Sequence, residues 1–121
     1  MKLYYNPVSS YSQKALIALY EKGVEFEREV VNLMDESARQ QYREVYPIGK
    51  VPLLVPEQDH LIPEASILIE YLDSHSDQGP QLIPSDPDAS RQTRFIDRMI
   101  DLYINDAITT LLFSNNRTES Q

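Results

Sequence analysis

The sequence has 121 residues, enough for one modest domain with a true core or for a small domain plus part of another. Its 11 Lys and Arg stand against 19 Asp and Glu, a net charge of -8, and no basic stripe tracks a phosphate backbone, so nucleic-acid binding is excluded as an expected role. Cysteine is absent, which removes disulfides and every mechanism built on a protein thiol. No run of about 18 apolar residues occurs and no charged-then-apolar leader precedes Leu3, so a cytoplasmic chain without a membrane span is expected.

Lys2-Leu3-Tyr4-Tyr5 reads as a short aromatic strand ended by Asn6-Pro7. The loop Val8-Ser9-Ser10-Tyr11-Ser12 leads into a helix through Tyr20, with the serines as N-cap candidates and Gly23 as its stop. Ala15, Leu16, Leu19 and Tyr20 form its apolar stripe. Val24, Phe26 and Val30 alternate with Glu25, Glu27 and Glu29, the pattern of a half-buried strand. This first unit is βαβ, so its strands should be parallel with a right-handed crossover. Met34 to Tyr46 is polar, with Ala38, Tyr42 and Val45 at helical spacing, and reads as a partly exposed helix.

The stretch from Gly49 to Leu72 carries the densest signals. Val51 to Val55 is a short apolar run, and Pro56-Glu57-Gln58-Asp59 turns it back into His60-Leu61-Ile62, the pattern of a hairpin. A helix follows at Glu64, with Ile67, Leu68, Tyr71 and Leu72 as its apolar face. The free amides of its first turn favour a carboxylate. A cis Val51-Pro52 bond would hold the Val51 amide and carbonyl outward for an extended peptide ligand, although only about 5–6% of X-Pro bonds are cis. The order β-α-β-α-β-β-α predicts an α/β fold, a four-stranded mixed sheet with helices on both faces.

Ser76 to Asp86 has linker composition. Asp86 as N-cap and Pro87 as first residue start a helix expected to run to about Phe113. From Leu102 onward its apolar residues wrap most of the way round, so its packing partners should lie in a longer protein or in another subunit. The expected organisation is a domain over residues 1–78, a linker over 79–86 and the beginning of an all-helical domain over 87–121.

These residues resemble the glutathione transferase family, over most of the chain. Tyr46-Pro47-Ile48-Gly49-Lys50-Val51-Pro52-Leu53 is similar to the family's asparagine-proline-x-glycine-lysine-valine-proline segment, with Tyr46 in the asparagine position and Pro52 in that of the cis-proline. Glu64-Ala65-Ser66-Ile67-Leu68-Ile69-Glu70-Tyr71-Leu72 resembles the segment that binds the γ-glutamyl end of glutathione. Val8-Ser9-Ser10-Tyr11-Ser12 resembles the active-site loop of the serine-type theta and zeta classes. The resemblance implies a thioredoxin-like domain followed by the first long helix of an all-α domain, glutathione as co-substrate, a small electrophile as second substrate, and a homodimer. It implies Ser9 as the catalytic hydroxyl, with Ser10 next to it. It assigns Lys50, Val51, Pro52, Glu64, Ala65 and Ser66 to glutathione binding. One departure stands out: the family carries serine after the glutamate, and here Ala65 occupies that place with Ser66 one residue later.

The implied chemistry is attack by the glutathione thiolate on an electrophilic carbon. A free thiol has a pKa of about 8.5, so the anion must be favoured at neutral pH. One hydroxyl donor contributes roughly 1.5–3 kcal/mol to a charged acceptor, which lowers the thiol pKa by about one to two units. Read as residues alone, Ser9, Ser10 and Ser12 are equally helix caps. Tyr5 is a rival donor, since Tyr5-Asn6-Pro7-Val8 also resembles the tyrosine-type loop; otherwise it is a strand aromatic in the core. Glu64 and Lys50 also read as an ordinary first-turn charge and a solvated side chain. His60 and His75 have no partner at ligand spacing, so no metal is expected. The second hypothesis is a non-catalytic transferase-like module serving protein interaction. A thiol-disulfide oxidoreductase is closed by the absence of cysteine.

Overall fold

The computed structural model describes residues 1–113. They form two compact units, Met1–Leu82 and a second one beginning at Ile83.

In the first unit β1 (Lys2–Tyr5), α1 (Ser10–Lys22), β2 (Glu27–Val30), α2 (Glu36–Val45), β3 (Leu53–Val55), β4 (Ile62–Pro63) and α3 (Ala65–His75) follow in order. The sheet order is β2-β1-β3-β4. β1 and β2 are parallel, with Lys2 opposite Glu27 and Tyr5 opposite Val30. β3 is antiparallel to both β1 and β4, pairing Tyr4 with Leu53 on one side and Leu53 with Pro63 on the other. This is the mixed four-stranded sheet of a thioredoxin-like fold.

Alternation along the strands sends side chains to two cores. Leu3 and Leu54 point to one face and join Ala15, Leu16, Ala18 and Leu19 of α1 and Leu68 and Leu72 of α3. Leu53 points to the other and joins Val31, just after β2, and Tyr42 of α2, with Tyr4 and Tyr46 packed against them. Helices therefore cover both faces, α1 and α3 on one and α2 on the other. Burial of such apolar side chains contributes about 1.5–3 kcal/mol each before chain entropy is counted.

Several boundaries and faces differ from the sequence expectation. β2 begins at Glu27 rather than Val24, and all four of its residues are exposed. It is an edge strand with β1 as its neighbour, and Val24 and Phe26 pack against the core before the ladder starts. Tyr20 leaves the buried stripe of α1: it lies one step of about 100° beyond Leu19, is exposed, and packs its ring edge-on to Phe26 at 5.8 Å. The buried line of α1 instead includes Ser12 and Lys22. α2 is shorter than expected, because Asp35 caps it by accepting from the Ser37 amide and leaves Met34 outside. Ile67 is exposed, and α3 buries Ala65, Leu68 and Leu72.

Gly23 ends α1 at φ 67°, the left-handed conformation that costs glycine nothing, and its amide donates to the Tyr20 carbonyl at 3.0 Å.

In the second unit α4 (Pro87–Met99) is capped by Asp86, whose Oδ2 accepts from the Ala89 amide at 2.9 Å. The helical path then widens into a π-helical stretch, Ile100–Asn105, before α5 (Asp106–Phe113). The single α-helix expected to Phe113 is thus interrupted by a rarer geometry that apolar periodicity does not encode. No residue of these three segments is buried.

Candidate functional site

The topology gathers the motif residues at one end of the sheet. β1 and β2 run in parallel toward Tyr5 and Val30, so the loops that follow them leave from the same end. β3 runs the opposite way, which brings its start, and Val51-Pro52 before it, to that end. β4 turns again, so Pro63, Glu64 and the first turn of α3 arrive there too.

The loop after β1 is held by a compact hydrogen-bond set. The Ser9 amide donates to the Asn6 carbonyl at 3.0 Å, and the Asn6 amide donates to Ser12 Oγ at 3.2 Å. Asn6 Oδ1 accepts from the Val8 amide at 2.9 Å, while Asn6 Nδ2 donates to the Val31 carbonyl, also at 2.9 Å. Ser9 is the N-cap of α1, and its Oγ accepts from the Ser12 amide at 3.2 Å. That bond uses a lone pair and leaves the hydroxyl proton available, so capping and donation to a ligand are compatible roles. Ser10 is the first helical residue and is exposed. Tyr5 is part-buried and packs against the α1 and α3 core.

On the opposite wall the Val51-Pro52 bond is cis. Pro52 is buried and Val51 half-buried, one and two residues outside the β3 ladder that starts at Leu53. Lys50 has an exposed side chain, and its carbonyl accepts from the Tyr42 hydroxyl at 2.8 Å. Burial first, then the neighbouring Tyr46 and Tyr4 phenols, push the Tyr42 hydroxyl well above the ordinary tyrosine range, so it stays a donor. This bond ties α2 to the segment leading into Val51.

Glu64 is exposed and stands at the N-cap of α3 with φ 69° and ψ 123°, and its side chain makes no capping hydrogen bond. Positive φ is uncommon for a residue with a Cβ. Ser9, Asp35 and Asp86, by contrast, each cap their helices with a side-chain oxygen. Ala65 is buried directly after it. Ser66 Oγ accepts from Lys14 Nζ at 3.0 Å, which joins the first turn of α3 to the second turn of α1. Among the described residues, no group of three or more His, Cys, Asp or Glu side chains could hold a metal ion, and no helix is long and apolar enough to cross a membrane.

A sequence profile of the glutathione S-transferase N-terminal domain matches residues 3–80. The chain belongs to the glutathione S-transferase family. It is 36% identical over 104 residues to a glutathione S-transferase of Pseudomonas putida, covering 86% of this chain and 45% of that one. Among solved structures it is similar to a maleyl pyruvate isomerase described as a bacterial glutathione S-transferase of the Zeta class, with TM-score 0.82 and 25% identity over 99% of this chain and 58% of the other. It is also similar to a Methylobacillus flagellatus glutathione S-transferase with glutathione bound, with TM-score 0.83 and 25% identity over 98% of this chain and 57% of the other. The chain thus spans less than two thirds of the length of each of these three relatives.

Asn6, Ser12, Lys14 and the Tyr42 hydroxyl were not singled out as site residues in the sequence. Asn6-Pro7 did signal a turn, but no local pattern shows that its amide reaches Val31 or that Lys14 reaches Ser66.

Proposed function

We propose that residues 1–78 are the glutathione-binding domain of a serine-type glutathione transferase. In this reading residues 79–86 form a linker and residues 87–121 begin the helical domain. Ser9 donates its hydroxyl proton to the glutathione sulfur and favours the thiolate, which then attacks a small electrophile. Val51 pairs through its backbone with the peptide, Pro52 and Lys50 shape that wall, and the amides behind Glu64, at Ala65 and Ser66, take the γ-glutamyl carboxylate. Ser10 and Tyr5 are secondary candidates for the sulfur. A homodimer and a cytoplasmic location belong to the same proposal.

One observation carries the reading: the capped Ser9 loop, the cis Val51-Pro52 segment and the α3 start that Glu64 leaves uncapped meet at one end of the sheet. The donor set suits a tripeptide with a thiol and a carboxylate, because it offers a hydroxyl, a strand edge and the positive end of a helix. Calorimetric titration with glutathione tests it. Saturable one-site binding is expected, and the absence of any binding heat or competition overturns it.

A second reading, a transferase-like module that serves protein interaction, is favoured by Ala65, which puts a buried methyl where the family carries a hydroxyl. Glutathione binding without turnover on any electrophile separates the two.

A further inference from the structure

We propose that Asn6 is the positioning residue of the thiol-activating loop, acting through Ser9 rather than on the substrate. The inference rests on the assignment of Ser9 above and deepens it. Asn6 engages all four of its polar groups. Its carbonyl accepts from Ser9 at 3.0 Å and its amide donates to Ser12 Oγ at 3.2 Å. Its side chain accepts from Val8 at 2.9 Å and donates to the Val31 carbonyl at 2.9 Å. The first three bonds fold residues 6–12 onto themselves. The fourth fastens that loop to the segment leaving β2, which is itself held by the Val31 amide on the Tyr5 carbonyl at 2.8 Å.

The consequence for Ser9 follows from hydroxyl geometry. Ser12 has no exposed surface, and its position is set partly by the bond from Asn6. Its own amide then occupies one lone pair of Ser9 Oγ at 3.2 Å. With one of the roughly tetrahedral directions taken, the Ser9 proton is confined to the remaining ones. A donor held in place before the sulfur arrives loses less on binding a charge than one that must be ordered by it. Pro7 adds a fixed φ between Asn6 and the Val8 amide that the Asn6 side chain holds, so the loop has few alternatives once Asn6 is bonded. An aspartate in this place keeps the acceptor for Val8 but turns an oxygen toward the Val31 carbonyl. A serine keeps an acceptor for Val8 and is too short to reach Val31.

The test is the thiolate absorbance of bound glutathione, titrated with pH in the wild type and in Ser9→Ala, Asn6→Ala, Asn6→Asp and Asn6→Ser, with glutathione Kd measured on each. Asn6→Ala and Asn6→Asp are expected to raise the pKa of the bound thiol by about one unit, most of the loss of one aligned donor. Their Kd should stay within about threefold of wild type and kcat should fall about tenfold at pH 6.5. Asn6→Ser should lie between them and the wild type, and it carries the comparison if Asn6→Ala does not fold. A thiol pKa that moves in Ser9→Ala and stays at the wild-type value in every folded Asn6 variant overturns this proposal and leaves the role of Ser9 intact. A wild type that does not lower the thiol pKa at all overturns the role of Ser9, and this proposal with it.

Discussion

The Lys22 ammonium lies 3.2 Å from the Asp73 carboxylate, with 3% and 7% of the two side chains exposed. The pair joins the last turn of α1 to α3, and both ends are further bonded. Asp73 accepts from the Leu82 amide at 3.0 Å on each oxygen, and Lys22 donates to the Pro80 carbonyl at 3.2 Å. A buried ion pair survives only when its remaining lone pairs and protons are satisfied. Here the chain at Pro80 and Leu82 does that, and the pair in turn fastens that segment to the α1 and α3 face.

Removing one partner leaves an uncompensated buried charge. Asp73→Ala and Lys22→Met are each expected to destabilise the fold by about 3–5 kcal/mol in urea unfolding. The double variant Lys22→Met with Asp73→Leu should recover most of that loss. Equal and additive losses in the double variant contradict the pairing.

Gly79 sits against the same corner. At φ +66°, a Cβ there would meet the Glu21 carbonyl oxygen at 2.5 Å and Lys22 Cα at 2.6 Å, both backbone atoms that cannot swing away. Gly79→Ala should therefore cost more than the roughly 1 kcal/mol of positive φ alone, seen as a lowered unfolding midpoint. An unchanged midpoint means that the segment does not hold this position in solution.

Much of this was legible in the sequence, and the illegible parts share a cause. The hairpin at Val51 to Ile62, the stop at Gly23 and the start at Asp86 are local devices, written in neighbouring residues. Tyr20 and Ile67 look apolar and fall at helical spacing, but which side of the helix is covered depends on where the sheet lies. β2 starts at Glu27, three residues after the apolar alternation begins, because an edge strand needs no buried alternation. The Lys22 and Asp73 pair, the reach of Asn6 to Val31 and that of Lys14 to Ser66 join residues distant in the chain. Such contacts leave no spacing to read. The position of Ser9 and the Glu64 segment followed from motif. The uncapped, positive-φ Glu64 did not.

In the proposed site, Glu64 would exchange some stability for binding. Its φ of 69° costs a side-chain-bearing residue of order 1 kcal/mol, which glycine does not incur. Glu64→Gly is expected to raise the unfolding free energy by up to about 1 kcal/mol and to weaken glutathione binding. Paired denaturation and calorimetry check it; a stability loss with unchanged binding contradicts the assigned roles.

The Tyr42 hydroxyl gives a pH signature. Its folded pKa is raised by burial above the ordinary value of about 10, so between that value and the folded one the unfolded chain binds fewer protons than the folded chain. Stability from this group is fully present below about pH 10 and falls as pH rises beyond it. Tyr42→Phe should lose about 1 kcal/mol at pH 7, for the bond to the Lys50 carbonyl, and show a shallower alkaline decline than wild type. Parallel slopes above pH 10 contradict this.

In the proposed function Ser9, at the cap of α1, sets the ionisation of glutathione's thiol. The most direct measurement is the thiolate absorbance of bound glutathione against pH in the wild type, Ser9→Ala and Tyr5→Phe. The expected result is a wild-type thiol pKa about one to two units below the free value, return toward about 8.5 in Ser9→Ala, and little change in Tyr5→Phe. A depressed pKa that survives Ser9→Ala and disappears in Tyr5→Phe contradicts it.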